Sequence, residues 1–118
     1  MEIDNLLEYE KREDLRQWLQ AHHTVATHCW VATYRSHDSK GKSLPYHEVV
    51  EEALCFGWID STLKRLPDGR LAQRLSPRRK GSHWTELNRK RVRNLGDQGL
   101  MTPAGWAAYQ AGLDPNNS

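Results

Sequence analysis

Residues 58–76 read WIDSTLKRLPDGRLAQRLS, and this stretch decides the fold. At its centre Pro67, Asp68 and Gly69 form a turn, because proline presets the first turn angle and glycine accepts positive φ. The flanks, roughly 58 to 65 and 70 to 75, are predicted to pair as two antiparallel strands. A chain with this hairpin must contain a sheet, so the question becomes what covers it.

Upstream, Pro45 fits the first turn of a helix, and YHEVVEEALCFG then gathers Val49, Val50, Ala53, Leu54 and Phe56 on one side. Glu48, Glu51 and Glu52 fall on the other side, where they read as a solvated face without chemistry, and Gly57 is the expected stop. Earlier, Leu15, Trp18 and Leu19 at i, i+3 and i+4 predict a helix near 11 to 22, and THCWVATYR predicts a strand from about His28 to Arg35. The polar stretch HDSKGKS after it reads as a loop. Downstream, PRRKGS is a loop before a helix from about Ser82 to Leu95. Ser82 or Thr85 is its cap, and Trp84, Leu87, Val92 and Leu95 are its apolar stripe. Thr102 and Pro103 open a last short helix, PAGWAAYQA. The expectation is a single α+β domain over 1–112, with a small antiparallel sheet of about three strands, about four helices and a frayed tail at 113–118.

At 118 residues the chain can bury a core without disulfides or a structural metal. Cys29 and Cys55 sit in apolar phrases and read as buried thiols in a reducing compartment, although the sequence leaves a disulfide open. No apolar run approaches the roughly 20 residues of a membrane span, and the acidic start lacks the features of a signal peptide. The expected location is cytoplasmic, without membrane insertion. The net charge of +2 conceals segregation: residues 64–93 hold eleven basic side chains against two acidic ones, a net +9, and the remainder sums to −7. The middle third should therefore attract anions.

The phrases RQWLQAHH, CWVATYR, ALCFGWIDS, SPRRKGSHWTELNRKRV and GLMTPAGWAAY, in this order from about Leu15 to Tyr109, resemble the bacteriocin-protection family, YdeI or OmpD-associated. Many members of that family continue beyond the GLMTPAG phrase, and Thr85 stands where they often have serine. The resemblance implies an α+β fold, a cytoplasmic location and a part in stress or envelope resistance. It implies no reaction, because fold does not fix function.

The residues offer a candidate binding site, against the plainer reading of a solvated basic loop with an ordinary serine cap. Arg78, Arg79 and Lys80 precede a predicted helix start at Ser82, where charge, free amides and a hydroxyl would meet an anion. Asp60, in the apolar phrase GWIDS, is expected to pair with Arg74 or Arg78. Trp58 and Trp84 lie next to basic residues and are the two of five tryptophans that could face a ligand, with core packing the default for the rest; Asn88 completes the candidate set. The six histidines lack HExxH spacing and the cysteines lack CxxC, so no metal site is expected, and no Walker, GxGxxG or GxSxG motif calls for a cofactor. The leading expectation is a non-enzymatic domain holding an anionic small molecule or an acidic protein surface. Two others stay open: a nucleic-acid binder in which Arg89, Lys90, Arg91 and Arg93 contact phosphates while Trp58 or Trp84 stacks on bases, and an enzyme centred on Asp60, Arg78 and Ser82.

Overall fold

The hairpin forms, and the sheet extends beyond it on one side. In a computed structural model that describes residues 2–35 and 41–113, the elements run β1 (Leu6–Leu7), α1 (Arg12–His22), β2 (Cys29–Tyr34), β3 (Leu44–Pro45), α2 (Tyr46–Cys55), β4 (Trp58–Arg65), β5 (Leu71–Pro77), α3 (Glu86–Asp97) and α4 (Pro103–Leu113). Most of the expected loop at 37–43 and of the expected tail at 113–118 lies outside the described residues.

β4 and β5 are antiparallel, with Arg65 opposite Leu71 and Trp58 opposite Pro77; an irregularity between Asp60 and Leu63 inserts one extra residue in β4. Gly69 turns the hairpin at φ +96°, with open space around it, so conformation alone calls for glycine there. β5 pairs in turn with β2, Leu75 opposite Cys29 and Leu71 opposite Thr33. Along its other edge β2 takes two short parallel strands end to end, β1 at Trp30 and Val31 and β3 at Thr33 and Tyr34. The sheet is therefore mixed and five-stranded, which corrects the expectation of about three antiparallel strands. Strands of two residues carry no readable alternation, so β1 and β3 leave no signal in sequence.

Alternation places Cys29, Val31, Gln73, Leu75, Trp58 and Asp60 on the helical side of the sheet, and four of these six join the main core. α2 is the hub: it packs on β2, β3 and β4 and touches α1, α3 and α4. Leu15 and Leu19 of α1, Val49, Val50, Ala53 and Leu54 of α2, and Val92 and Leu95 of α3 fill the space between them. α3 begins later than expected, with Thr85 as its cap accepting the Asn88 amide at 3.1 Å. Leu87, five residues before Val92, falls off the face of Val92 and Leu95 rather than joining the predicted apolar stripe, and it is 57% exposed. α4 opens as expected, with the Thr102 hydroxyl accepting the Gly105 amide and donating to the Cys55 carbonyl.

Glu52 also departs from expectation. It is 1% exposed and accepts from Arg12, through Nε and Nη2, and from Arg16, through Nη1, while Arg12 also reaches Glu51 at 3.0 Å. Three glutamates in a helix do not announce which one turns inward; the partner cations come from α1, 36 and 40 residues away. Both cysteines are buried and free. Among the described residues no helix is long and apolar enough to cross a membrane.

Candidate functional site

The chain leaves β5 at Pro77 directly into Arg78, whose amide donates to the Gly57 carbonyl at 3.1 Å. That bond ties the strand exit to the end of α2 and points the Arg78 side chain across Trp84. The guanidinium lies 3.7 Å from the centre of the indole. From the α4 side, Tyr109 meets the indole edge-on at 5.6 Å, and Gly112 comes so close that a Cβ there would lie 2.2 Å from the ring. Trp84 is thus a fixed platform under the cation.

Nη1 of Arg78 donates to the Ser82 hydroxyl at 3.1 Å and to the His83 carbonyl at 3.3 Å. Nε and Nη2 are buried and have no acceptor among the described residues. These two nitrogens form one edge of the planar guanidinium, the edge that grips both oxygens of a carboxylate or phosphate. Arg12 presents the same edge to Glu52. Arg78 has no such carboxylate within ion-pair distance among the described residues. Burial accordingly pulls its pKa down to about 10, against a smaller opposing effect from the charge of Asp60.

Asp60 belongs to a polar cluster of its own. Its Oδ2 accepts the Tyr46 hydroxyl at 2.9 Å and Gln73 Nε2 at 3.2 Å. Tyr46 opens α2, and its ring lies 4.3 Å from the Arg35 guanidinium. Burial, then the bond to Asp60, raises the Tyr46 pKa. Gln73 is 1% exposed on the core side of β5, and its Oε1 has no donor among the described residues.

The expected ion pair from Asp60 to Arg74 is corrected by strand alternation: Arg74 stands opposite Trp30 on the other side of the sheet from Asp60 and Leu75. Arg78 acts on Asp60 through space, without a salt bridge. Trp58 is buried in the core, its indole N–H donating to the His23 carbonyl at 3.3 Å, and Trp84 is 6% exposed beneath Arg78, so neither offers a free face for a base. Arg79 and Lys80 are exposed in a turn closed by the Ser82 amide on the Arg79 carbonyl. Ser82 precedes α3 and caps nothing there; its hydroxyl serves Arg78 instead. Asn88 is occupied within α3, accepting from Arg91 at 2.9 Å. The fold therefore brings Asp60, Arg78, Ser82 and Trp84 to one end of β4 and β5; Trp58 starts β4 at that same end but is buried in the core, whereas Arg74 faces the other side of the sheet and Asn88 is engaged within α3.

Two members of this site went unseen in sequence, Tyr46 and Gln73. Gln73 did leave a trace, because it shares the inward alternation of Leu71 and Leu75 in an otherwise apolar row. Tyr46 left none, since its partner lies across a helix and a strand.

The model of a domain of unknown function, DUF8412, matches residues 7–108. The chain belongs to this family. No curated protein and no solved structure matches it. The resemblance to the bacteriocin-protection family is corrected by this finding: the matching model is DUF8412, and no match to that family accompanies it. In this DUF8412 member burial pushes the Cys29 thiol up to about 12 and the Cys55 thiol up to about 11. Among the described residues no group of three or more metal-ligating side chains is gathered.

Proposed function

We propose that this DUF8412 domain is a non-enzymatic binding module for a small oxyanion, held by Arg78. The observation that carries the reading is the bidentate edge of Arg78, buried, fixed over Trp84 and without a protein acceptor among the described residues. A buried cation without a counter-charge is unfavourable, and an oxyanion that supplies two acceptors removes the deficit. Arg79 and Lys80, exposed beside it within the +9 segment, add attraction at longer range. Asp60 Oδ1, without a donor among the described residues, offers an acceptor to a hydroxyl or amine placed next to the ligand's acidic group.

The reading is tested by following backbone amide shifts during titration with phosphate and with chloride at constant ionic strength. Saturable shifts at 78–84 with phosphate alone, lost in Arg78→Ala, are the expected result. Equal movement with both salts reduces the turn to a solvated basic loop. The nucleic-acid alternative loses its stacking platforms with Trp58 and Trp84 buried, and salt-insensitive or absent binding to oligonucleotides would eliminate it.

A further inference from the structure

Three polar side chains along β4, β5 and the strand exit hold atoms without partners among the described residues, and they differ in kind. Arg78 offers the donors Nε and Nη2, both buried. Gln73, 1% exposed, offers the acceptor Oε1, and Asp60 offers the acceptor Oδ1. Buried donors and acceptors are costly while unmet, so a ligand that meets all three side chains gains most.

The two acceptors stand together. Asp60 lies opposite Leu75 and Gln73 opposite Leu63, with the irregularity of β4 between them, so the two side chains are diagonal neighbours on the sheet. Gln73 Nε2 donates to Asp60 Oδ2 at 3.2 Å, which orients the amide and sets its Oε1 close to the same carboxylate. The Tyr46 hydroxyl donates to Oδ2 as well, at 2.9 Å, so the bonds that fix the pair fall on one oxygen and leave Oδ1 open.

Arg78 is the complement across a gap. The charge of Asp60 is felt at Arg78, where it opposes the effect of burial on the guanidinium, yet the two side chains make no ion pair. A molecule that bridges them presents an acid to Arg78 and a donor to Asp60 and Gln73. A hydroxyl supplies one N–H or O–H donor, whereas an ammonium supplies three and sets a positive charge opposite Asp60. Because the two protein charges are close enough to act on each other, the shortest zwitterion fits best, with the amine one carbon from the acid.

We infer that the ligand is a zwitterionic α-amino acid, its carboxylate on the Nε and Nη2 edge of Arg78 and its ammonium on Asp60 Oδ1 and Gln73 Oε1. The inference rests on the oxyanion reading of Arg78 and narrows it to one chemical class. Each charge of the ligand meets an opposite charge of the protein, which selects it over an acid of the same shape without the amine.

The experiment titrates the intact chain near neutral pH with glycine, glycolate and acetate, which share a carboxylate and differ in the group beside it, following backbone and side-chain amide shifts at constant ionic strength. Glycine bound about tenfold or more tightly than acetate, with glycolate between them and with saturable shifts at Asp60 and Gln73 as well as at 78–84, is expected. Asp60→Asn keeps an acceptor for Tyr46 and Gln73 but sets an amide N–H2 where Oδ1 stands, so it should bring glycine down to the affinity of acetate while a melt shows the fold kept. Equal binding of glycine and acetate at 78–84, lost in Arg78→Ala, overturns the amino-acid assignment and leaves the oxyanion reading standing. A preference for glycine that is indifferent to Asp60→Asn, or that survives Arg78→Ala, also overturns it. So does the absence of shifts with all three at tens of millimolar, and the phosphate titration then decides whether Arg78 holds any anion.

Discussion

At the scale of single residues, the side chains that break the apolar pattern set the character of the molecule. Arg78 is retained in a place where an apolar side chain of similar length would fit over Trp84 with no desolvation penalty. Arg78→Met should therefore match or exceed the parent in thermal stability, by up to about 1 kcal/mol, while losing all response to phosphate. A clear drop in melting temperature would make Arg78 a structural residue. Asp60→Ala removes the acceptor of both Tyr46 and Gln73 and leaves the buried Gln73 amide unsatisfied, which should cost about 1–3 kcal/mol in a denaturant melt. The two cysteines give a pH dependence. Their folded pKa values, about 12 and about 11, exceed the ordinary thiol value of 9.0, so their contribution to stability is complete below about pH 9 and lost as pH rises toward 11 and 12. Alkylation near pH 8 should be negligible in the native state and fast in denaturant; rapid native labelling would contradict the burial.

At the scale of elements, most of what the sequence predicts survives wherever an element is long enough to repeat its own period. α1, α2 and the β4–β5 hairpin were legible because Leu15 with Leu19, Val49 with Ala53, and the Pro67–Gly69 turn each repeat or punctuate a pattern. β1 and β3 were not, because two residues hold no period and their pairing depends on β2. Of the candidate site, Asp60, Arg78, Ser82 and Trp84 were legible from charge and context, whereas Gln73 and Tyr46 depend on register and on packing between elements. The start of α3 was misplaced because Ser82 and Thr85 are equally good caps by type, and only the structure shows the Ser82 hydroxyl turned to Arg78. α4 docks through small residues: a Cβ on Gly105 would lie 2.3 Å from the Cys55 carbonyl, and one on Gly112 would enter the Trp84 ring. Gly112→Ala should then push Trp84 away from Arg78, with a loss of about 1–3 kcal/mol and a shift in tryptophan fluorescence. An unchanged melt and spectrum would mean that α4 is not what holds the indole in place.

For the whole molecule, a five-stranded mixed sheet is covered by helices organised around α2, and the charged groups divide between two uses. On the α1–α2 side, Arg12 and Arg16 are matched to Glu51 and Glu52, and Glu52→Gln should destabilise the domain by about 3 kcal/mol or more by leaving buried guanidinium charge uncompensated. A melt within a degree of the parent would show that the network is a surface feature. On the side where β5 ends, Arg78 has a platform and a hydroxyl but no carboxylate of its own among the described residues, a deficit that the proposed oxyanion would fill. The most direct measurement is the ¹H–¹⁵N signal of the Arg78 side-chain Nε–H, assigned by its loss in Arg78→Lys, during phosphate titration at constant ionic strength. A saturable downfield proton shift is expected as Nε gains an acceptor, with no such change in chloride. A signal that stays in place while phosphate is added would contradict it.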